Sequence, residues 1–212
     1  GLNEIILLQL KYSRSVLNYA LHFHSFDPNK KYQLFENDGL TVETIPLFHK
    51  LPCAGFLFRE KPKQRRIDKE RLVKGMLLQH IVALKTGLDV FDDQGKLLYK
   101  NEDFTLDPKR SVSYAYCSDT AFFEPIIEQI RDVDLLYHEA TFMDEELGKA
   151  IETRHSTARQ AAEIAKRSQV KRLLIGHFSA RYKDLEPLLA EATSVFENSS
   201  LAIEGQTFTI DA

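Results

Sequence analysis

Six residues of the types that bind metal ions or move protons stand beside apolar runs. His49 follows LTVETIPLF, Asp119 follows SVSYAYCS, and His138-Glu139 closes VDLLYHE. His155 precedes a helical stretch, and His177 ends VKRLLIG. Each has an ordinary use alone: a histidine at a strand end is commonly structural, and an aspartate after a strand commonly caps a turn. The combination says more. Imidazole nitrogen with carboxylate oxygen is a donor set that suits Zn²⁺. A histidine oriented by a carboxylate is also a general acid or base. No GxGxxG or GxxxxGK[ST] loop is present to cradle a nucleotide, and no GxSxG elbow is present to expose a serine nucleophile.

Chemistry of this kind needs elements to position it. Leu, Ile and Val at helical spacing predict a helix over about 3–16, and the following stretch predicts a strand near 19–25. KYQLFEN and LTVETIPLF read as strands around a turn at Asn37-Asp38-Gly39, and CAGFLFRE as a third strand. Residues 60–108 are charged, with helix-like IDKERLVK and LQHIVALKTG, and read as an insertion or arm. Beyond them strand, polar turn and helix repeat. SVSYAYCSDT, VDLLYHEATF and VKRLLIGHFS are strands. EPIIEQIRD, STARQAAEIAKRSQ (capped by Ser156 or Thr157) and DLEPLLAEATSVFEN are helices, and SLAIEGQTFTI closes as a hairpin. Such βα units place functional groups at the carboxyl ends of strands, here Asp119, His138-Glu139 and His177.

Bulk composition narrows the class. The 212 residues are 43% hydrophobic, so a substantial core is expected. No apolar run approaches the length of a membrane span, and no signal-peptide pattern opens the chain. Cys53 and Cys117 make neither a disulfide framework nor a CxxC site, so a cytoplasmic protein with two ordinary thiols is expected. The net charge of −3 argues against a generally basic nucleic-acid coat, although REKPKQRRIDKERLVK (59–74) is a local basic stretch.

YCSDT (116–120), LYHEATF (136–142), RHSTARQAAEIAK (154–166) and GHFSARY (176–182) together resemble ribonuclease Z, the transfer-RNA 3′-processing endonuclease family of the metallo-β-lactamase superfamily. PLFHKLPCAGFLFREK resembles the family's segment that carries a ligand histidine. The resemblance covers nearly the whole chain. It implies an α/β fold, the metallo-β-lactamase-like αββα sandwich with its amino-terminal part incomplete, as one domain over 1–212. It implies metal ligands at His49, Asp119 (bridging) and His177, and a proton-transfer pair in Glu139 and His155. Ser179, Arg181 and Tyr182 would grip a phosphate of the RNA; a structural ion pair is the other reading of Arg181. The implied cofactor is Zn²⁺, two ions per complete site, which activate a water against the phosphodiester beyond the mature 3′ end. The implied partners are precursor tRNA and a second copy in a homodimer, with no membrane.

The family's His-x-His-x-Asp-His motif is not in this chain. His22 and His24 in LHFHSFDPNK lack its second half and read as ordinary strand residues. The chain thus resembles about the carboxyl-terminal two-thirds of the family, with three ligands for two metals. A fragment that binds metal weakly and does not cleave RNA is expected. Residues 60–108 fall where some members carry a tRNA-gripping arm, and a shorter packed insertion is the alternative. Other readings are a metallo-β-lactamase-fold phosphodiesterase or arylsulfatase, and a noncatalytic RNA-binding remnant.

Overall fold

The computed structural model describes residues 1–211. In chain order they form α1 (Leu2–Ser13), β1 (Gln33–Glu36), β2 (Leu40–Pro46), β3 (Ala54–Glu60), β4 (Arg66–Ile67), α2 (Leu78–Lys85), β5 (Val90–Phe91) and β6 (Leu97–Tyr99). Then follow α3 (Asn101–Phe104), β7 (Thr105–Leu106), β8 (Ser113–Cys117), β9 (Leu135–Glu139), α4 (Leu147–Thr153), α5 (Ala158–Arg167), β10 (Leu173–Gly176), α6 (Glu186–Val195) and β11 (Ser199–Leu201).

One mixed sheet carries the fold, in the order β1-β2-β3-β8-β9-β10-β11. The pairs from β1 to β8 are antiparallel and those from β8 to β11 are parallel. Two reversals therefore leave β2 running in the same direction as β8, β9 and β10. The carboxyl ends of these four strands lie at one edge; Glu139 is the last residue of β9, and the segments that follow β2, β8 and β10 carry His49, Asp119 and His177.

Alternation along the strands separates two faces. Leu57, Ala115, Leu136 and Leu173 are register partners in one buried row, and Cys117, His138 and Ile175 form the next. These rows pack against α5 and α6. The buried Ala158, Ala161, Ala162 and Ala165 bring α5 close to the sheet. On the other face Phe56, Tyr116, Tyr137 and Leu174 form a row, and Tyr116 stacks on Tyr137 with centroids 4.8 Å apart.

Several sequence expectations change. The first helix ends at Ser13 and buries none of its residues. Residues 19–25 form no strand, because no neighbouring strand pairs with them among the described residues, and His22 and His24 are exposed. IDKERLVK makes a single 3₁₀ turn at Lys69–Arg71, and EPIIEQIRD only one at Glu124–Ile126. The final hairpin is absent: β11 pairs parallel with β10, and the chain after it forms no strand among the described residues. Between β3 and β8 the chain leaves the main sheet and builds two small sheets, β4-β7 and β5-β6, around α2 and α3.

Candidate active site

His49 sits in the loop after β2, Asp119 two residues beyond β8, Glu139 at the end of β9, and His177 immediately after β10. His155 comes from the junction of α4 and α5. That junction is fixed by the capping box of α5: Thr157 Oγ1 accepts from the Gln160 N–H at 3.2 Å, and Gln160 Oε1 accepts from the Thr157 N–H at 3.1 Å. Thr157 is thus the cap. Ser156 works elsewhere, donating its hydroxyl to the Thr120 carbonyl at 2.8 Å.

The five side chains converge. The His155 ring lies 4.8 Å from that of His49 and 5.2 Å from that of His177, centroid to centroid. His177 Nε2 is 3.3 Å from Asp119 Oδ1. Ligand atoms of His49, Asp119 and His155 lie within 4.8 Å of one another, as do those of Glu139, His155 and His177. Asp119 and His177 hold left-handed backbone angles, with φ of 58° and 59°, a conformation that costs L-residues roughly 1–2 kcal/mol. The packed sheet edge sustains this cost and turns both side chains toward each other.

Glu139 has no exposed surface. Its Oε1 accepts from the Thr120 N–H at 2.5 Å, and its Oε2 from the Thr141 hydroxyl at 2.6 Å and the Ser156 N–H at 3.0 Å. His155 Nδ1 lies 2.9 Å from Oε1. Burial alone would raise this carboxyl's pKa. The hydrogen bonds from His155, Thr141 and Ser156 outweigh burial and hold it below the ordinary range. The bond to Glu139 in turn raises His155, against the opposing effect of its own partial burial.

Each histidine of the cluster has its Nδ1 engaged: His49 on the Arg154 carbonyl at 2.8 Å, His155 on Glu139, and His177 on the Thr141 hydroxyl at 2.9 Å. Nε2 is the remaining nitrogen on all three. Imidazoles oriented through one nitrogen beside a carboxylate fit a metal ion. Glu139 fits less well, because its two oxygens already receive four donors.

The other expected residues lie differently. His138, next to Glu139, points into the core and is fully buried, and its Nε2 has no partner among the described residues. Burial pushes its pKa down, so the ring is neutral. Ser179, Arg181 and Tyr182 follow His177, but their polar atoms have partners. Arg181 donates to Glu146 at 3.0 Å and to Ser179 Oγ at 3.1 Å, and the Tyr182 hydroxyl accepts from the Met143 N–H at 3.0 Å. Thr141, Thr120 and Arg154 were not singled out in the sequence, and Ser156 was named only as a possible helix cap. Of these, only Thr141 had a visible signal, a hydroxyl two residues beyond Glu139.

A beta-lactamase superfamily domain model matches residues 103–178, a span that contains four of the five converging residues. Ribonuclease Z of Cytophaga hutchinsonii is 43% identical over 210 residues, covering 99% of this chain and 67% of that protein. Ribonuclease Z of Bacteroides fragilis strain YCH46 is 44% identical, covering 96% and 67%.

The chain belongs to the ribonuclease Z family.

Its class is therefore endoribonuclease, a hydrolase. It spans about two thirds of the length of these relatives. Among solved structures, human tRNase Z, short form, superposes with a TM-score of 0.58 at 21% identity, covering 100% of this chain and 66% of that one. The metallo-beta-lactamase fold protein YhfI of Bacillus subtilis superposes with a TM-score of 0.56 at 16% identity, covering 92% and 59%. The fold is that of the metallo-β-lactamases. No helix among the described residues is long and apolar enough to cross a membrane.

Proposed function

We propose that this chain carries the acid–base half and part of the metal half of a zinc-dependent site that trims 3′ trailers from precursor tRNA. The observation that carries this reading is the Glu139–His155 pair set against His49, Asp119 and His177 at one sheet edge. His49, Asp119 and His177 would hold Zn²⁺. Zinc, when bound, supplies an acidified water and a Lewis acid for the phosphate.

The chain's own residues do the rest. Glu139, ionised and fixed by its four donors, keeps a proton on His155 Nδ1 and favours the imidazolium. His155 Nε2 then holds a proton for the leaving 3′ oxygen, and Glu139 stabilises the charge until it is delivered. Ser179 and Arg181, beside His177, would meet a neighbouring phosphate once Arg181 exchanges Glu146 for it. The excursion between β3 and β8 is the proposed RNA-contacting arm. Much of its charge is locally matched: Lys63 pairs with Glu60 at 2.6 Å, Arg65 with Asp107 at 3.0 Å, and Lys61 with Glu36.

Three ligands are few for two ions, since a catalytic zinc takes about three protein ligands of its own. We therefore expect zinc well below two per chain by elemental analysis after reconstitution, and no cleavage of precursor tRNA by this chain alone. A value near two, or cleavage, would sink the weak-binding reading. In a longer chain supplied with the His-x-His-x-Asp-His segment of a relative, precursor tRNA should be cut. There Glu139→Gln should slow the reaction by about 10²–10⁴. Preference for a small phosphodiester over precursor tRNA would overturn the substrate assignment.

A further inference from the structure

His49 is the one proposed metal ligand that lies outside the parallel part of the sheet, in a loop between two antiparallel strands. Something must fix its ring. Residue 154, 105 positions away in the chain, does so twice. Its carbonyl accepts from His49 Nδ1 at 2.8 Å, and its guanidinium Nη1 donates to the His49 carbonyl at 3.0 Å. The same guanidinium lies 4.8 Å from the centroid of Phe48, whose ring stacks on Phe123 at 5.8 Å. We propose that Arg154 is a positioning residue for His49, a reciprocal clasp that selects the imidazole tautomer presenting Nε2 to the metal.

The donor inventory makes this specific. A carbonyl oxygen can only accept, so the neutral ring must carry its proton on Nδ1, and Nε2 keeps the lone pair. The carbonyl reaches the ring because Arg154 is the left-handed C-cap of α4, with φ of 58°. Its own N–H folds back onto the carbonyls of Ala150 and Ile151, which leaves its carbonyl facing outward from the helix end. The side chain supplies the second half of the clasp. A lysine would keep the charge and lose the planar fork that bonds the His49 carbonyl while lying over Phe48. Two further bonds, Ala121 N–H to the Phe48 carbonyl at 2.8 Å and Phe48 N–H to Thr120 Oγ1 at 3.2 Å, tie this loop to the segment carrying Asp119. Arg154 thereby joins the α4–α5 junction, which carries His155, to the loop that carries His49.

The inference rests on the proposed ligand role of His49, so the test separates the two. Side-chain ¹⁵N spectra of the metal-free chain, recorded above the ordinary imidazole range, report the His49 tautomer directly. Zinc titration of the same samples reports ligation. Arg154→Gly accommodates the left-handed backbone and keeps the carbonyl while removing the whole side chain, the guanidinium with it. Without the guanidinium bond to the His49 carbonyl, the loop is no longer held against the carbonyl of residue 154, so the single Nδ1–H tautomer should become a mixture and zinc binding should weaken by about tenfold or more. Arg154→Lys should fall between, and it decides the matter on the same readouts if the glycine variant does not fold. A His49 tautomer unchanged in both variants overturns the clasp, whatever zinc does. A changed tautomer with unchanged zinc affinity supports the clasp and overturns the ligand role of His49.

Discussion

One hydroxyl, that of Thr141, lies between the acid–base pair and a proposed metal ligand. It has a single proton, and the 2.6 Å bond to the buried Glu139 carboxylate takes it. The oxygen must then accept from His177 Nδ1, which leaves the Nε2 of His177 free opposite Asp119. Thr141→Val keeps the shape and strands two polar groups. We expect a loss of about 1–3 kcal/mol in unfolding free energy, since a buried carboxylate and an imidazole N–H each lose a partner. A fall of about 10–100-fold in zinc affinity should accompany it, read by titration. Thr141→Ser should restore most of both. A valine variant that binds zinc like the parent would show that His177 is oriented by its strand alone.

Strand ends gather the site, so changes within strands should reach it. Gly55 in β3 is such a position: a Cβ there would stand 2.3 Å from the Tyr116 carbonyl oxygen on β8, two residues from Ser118 and three from Asp119. That neighbour is backbone and cannot swing away. Gly176→Ala would also crowd, at 2.3 Å, but against the Tyr137 side chain, which has a rotamer to change. Gly55→Ala should therefore cost more, about 3 kcal/mol against about 1, in denaturant unfolding of the two variants. Equal costs would mean that Tyr137 is as immobile as the β8 backbone. The sequence was most legible here. Apolar runs marked β2, β3, β8, β9 and β10, and the polar ends of four of them named His49, Asp119, Glu139 and His177, while His155 stood before a helical stretch. What alternation could not show was which of two adjacent residues faces the core: strand ends alone put His138 beside Glu139, and only the family resemblance chose Glu139. Nor could propensity place left-handed angles at Asp119, Arg154 and His177, because tertiary packing imposes them. The stretch at 19–25 had the texture of a strand, but a strand needs a neighbour to pair with.

The whole sheet divides its labour between two edges. The carboxyl edge gathers histidines and carboxylates for chemistry, and the opposite edge is held by one acid. Asp134, just before β9, accepts from Lys171 just before β10 at 2.7 Å and from Arg110. From Ser113 at the start of β8 it accepts the backbone N–H at 2.7 Å and the hydroxyl at 3.0 Å. Its side chain is 6% exposed. Burial alone would raise its pKa, but Lys171, Arg110 and the Ser113 donors overcome that and lower it to about 2. A depressed carboxyl stabilises the fold above its unfolded pKa of about 4 and loses that contribution as pH falls through about 2. The difference corresponds to about 2 kcal/mol. Asp134→Asn should remove that much stability at neutral pH while flattening the acid limb, so the two proteins approach each other below about pH 2. The acid limb of chemical denaturation, followed by circular dichroism, measures this without any metal in the site. Parallel curves for the two proteins across that range would assign the acid sensitivity to another carboxylate, with buried Glu139 the next to test.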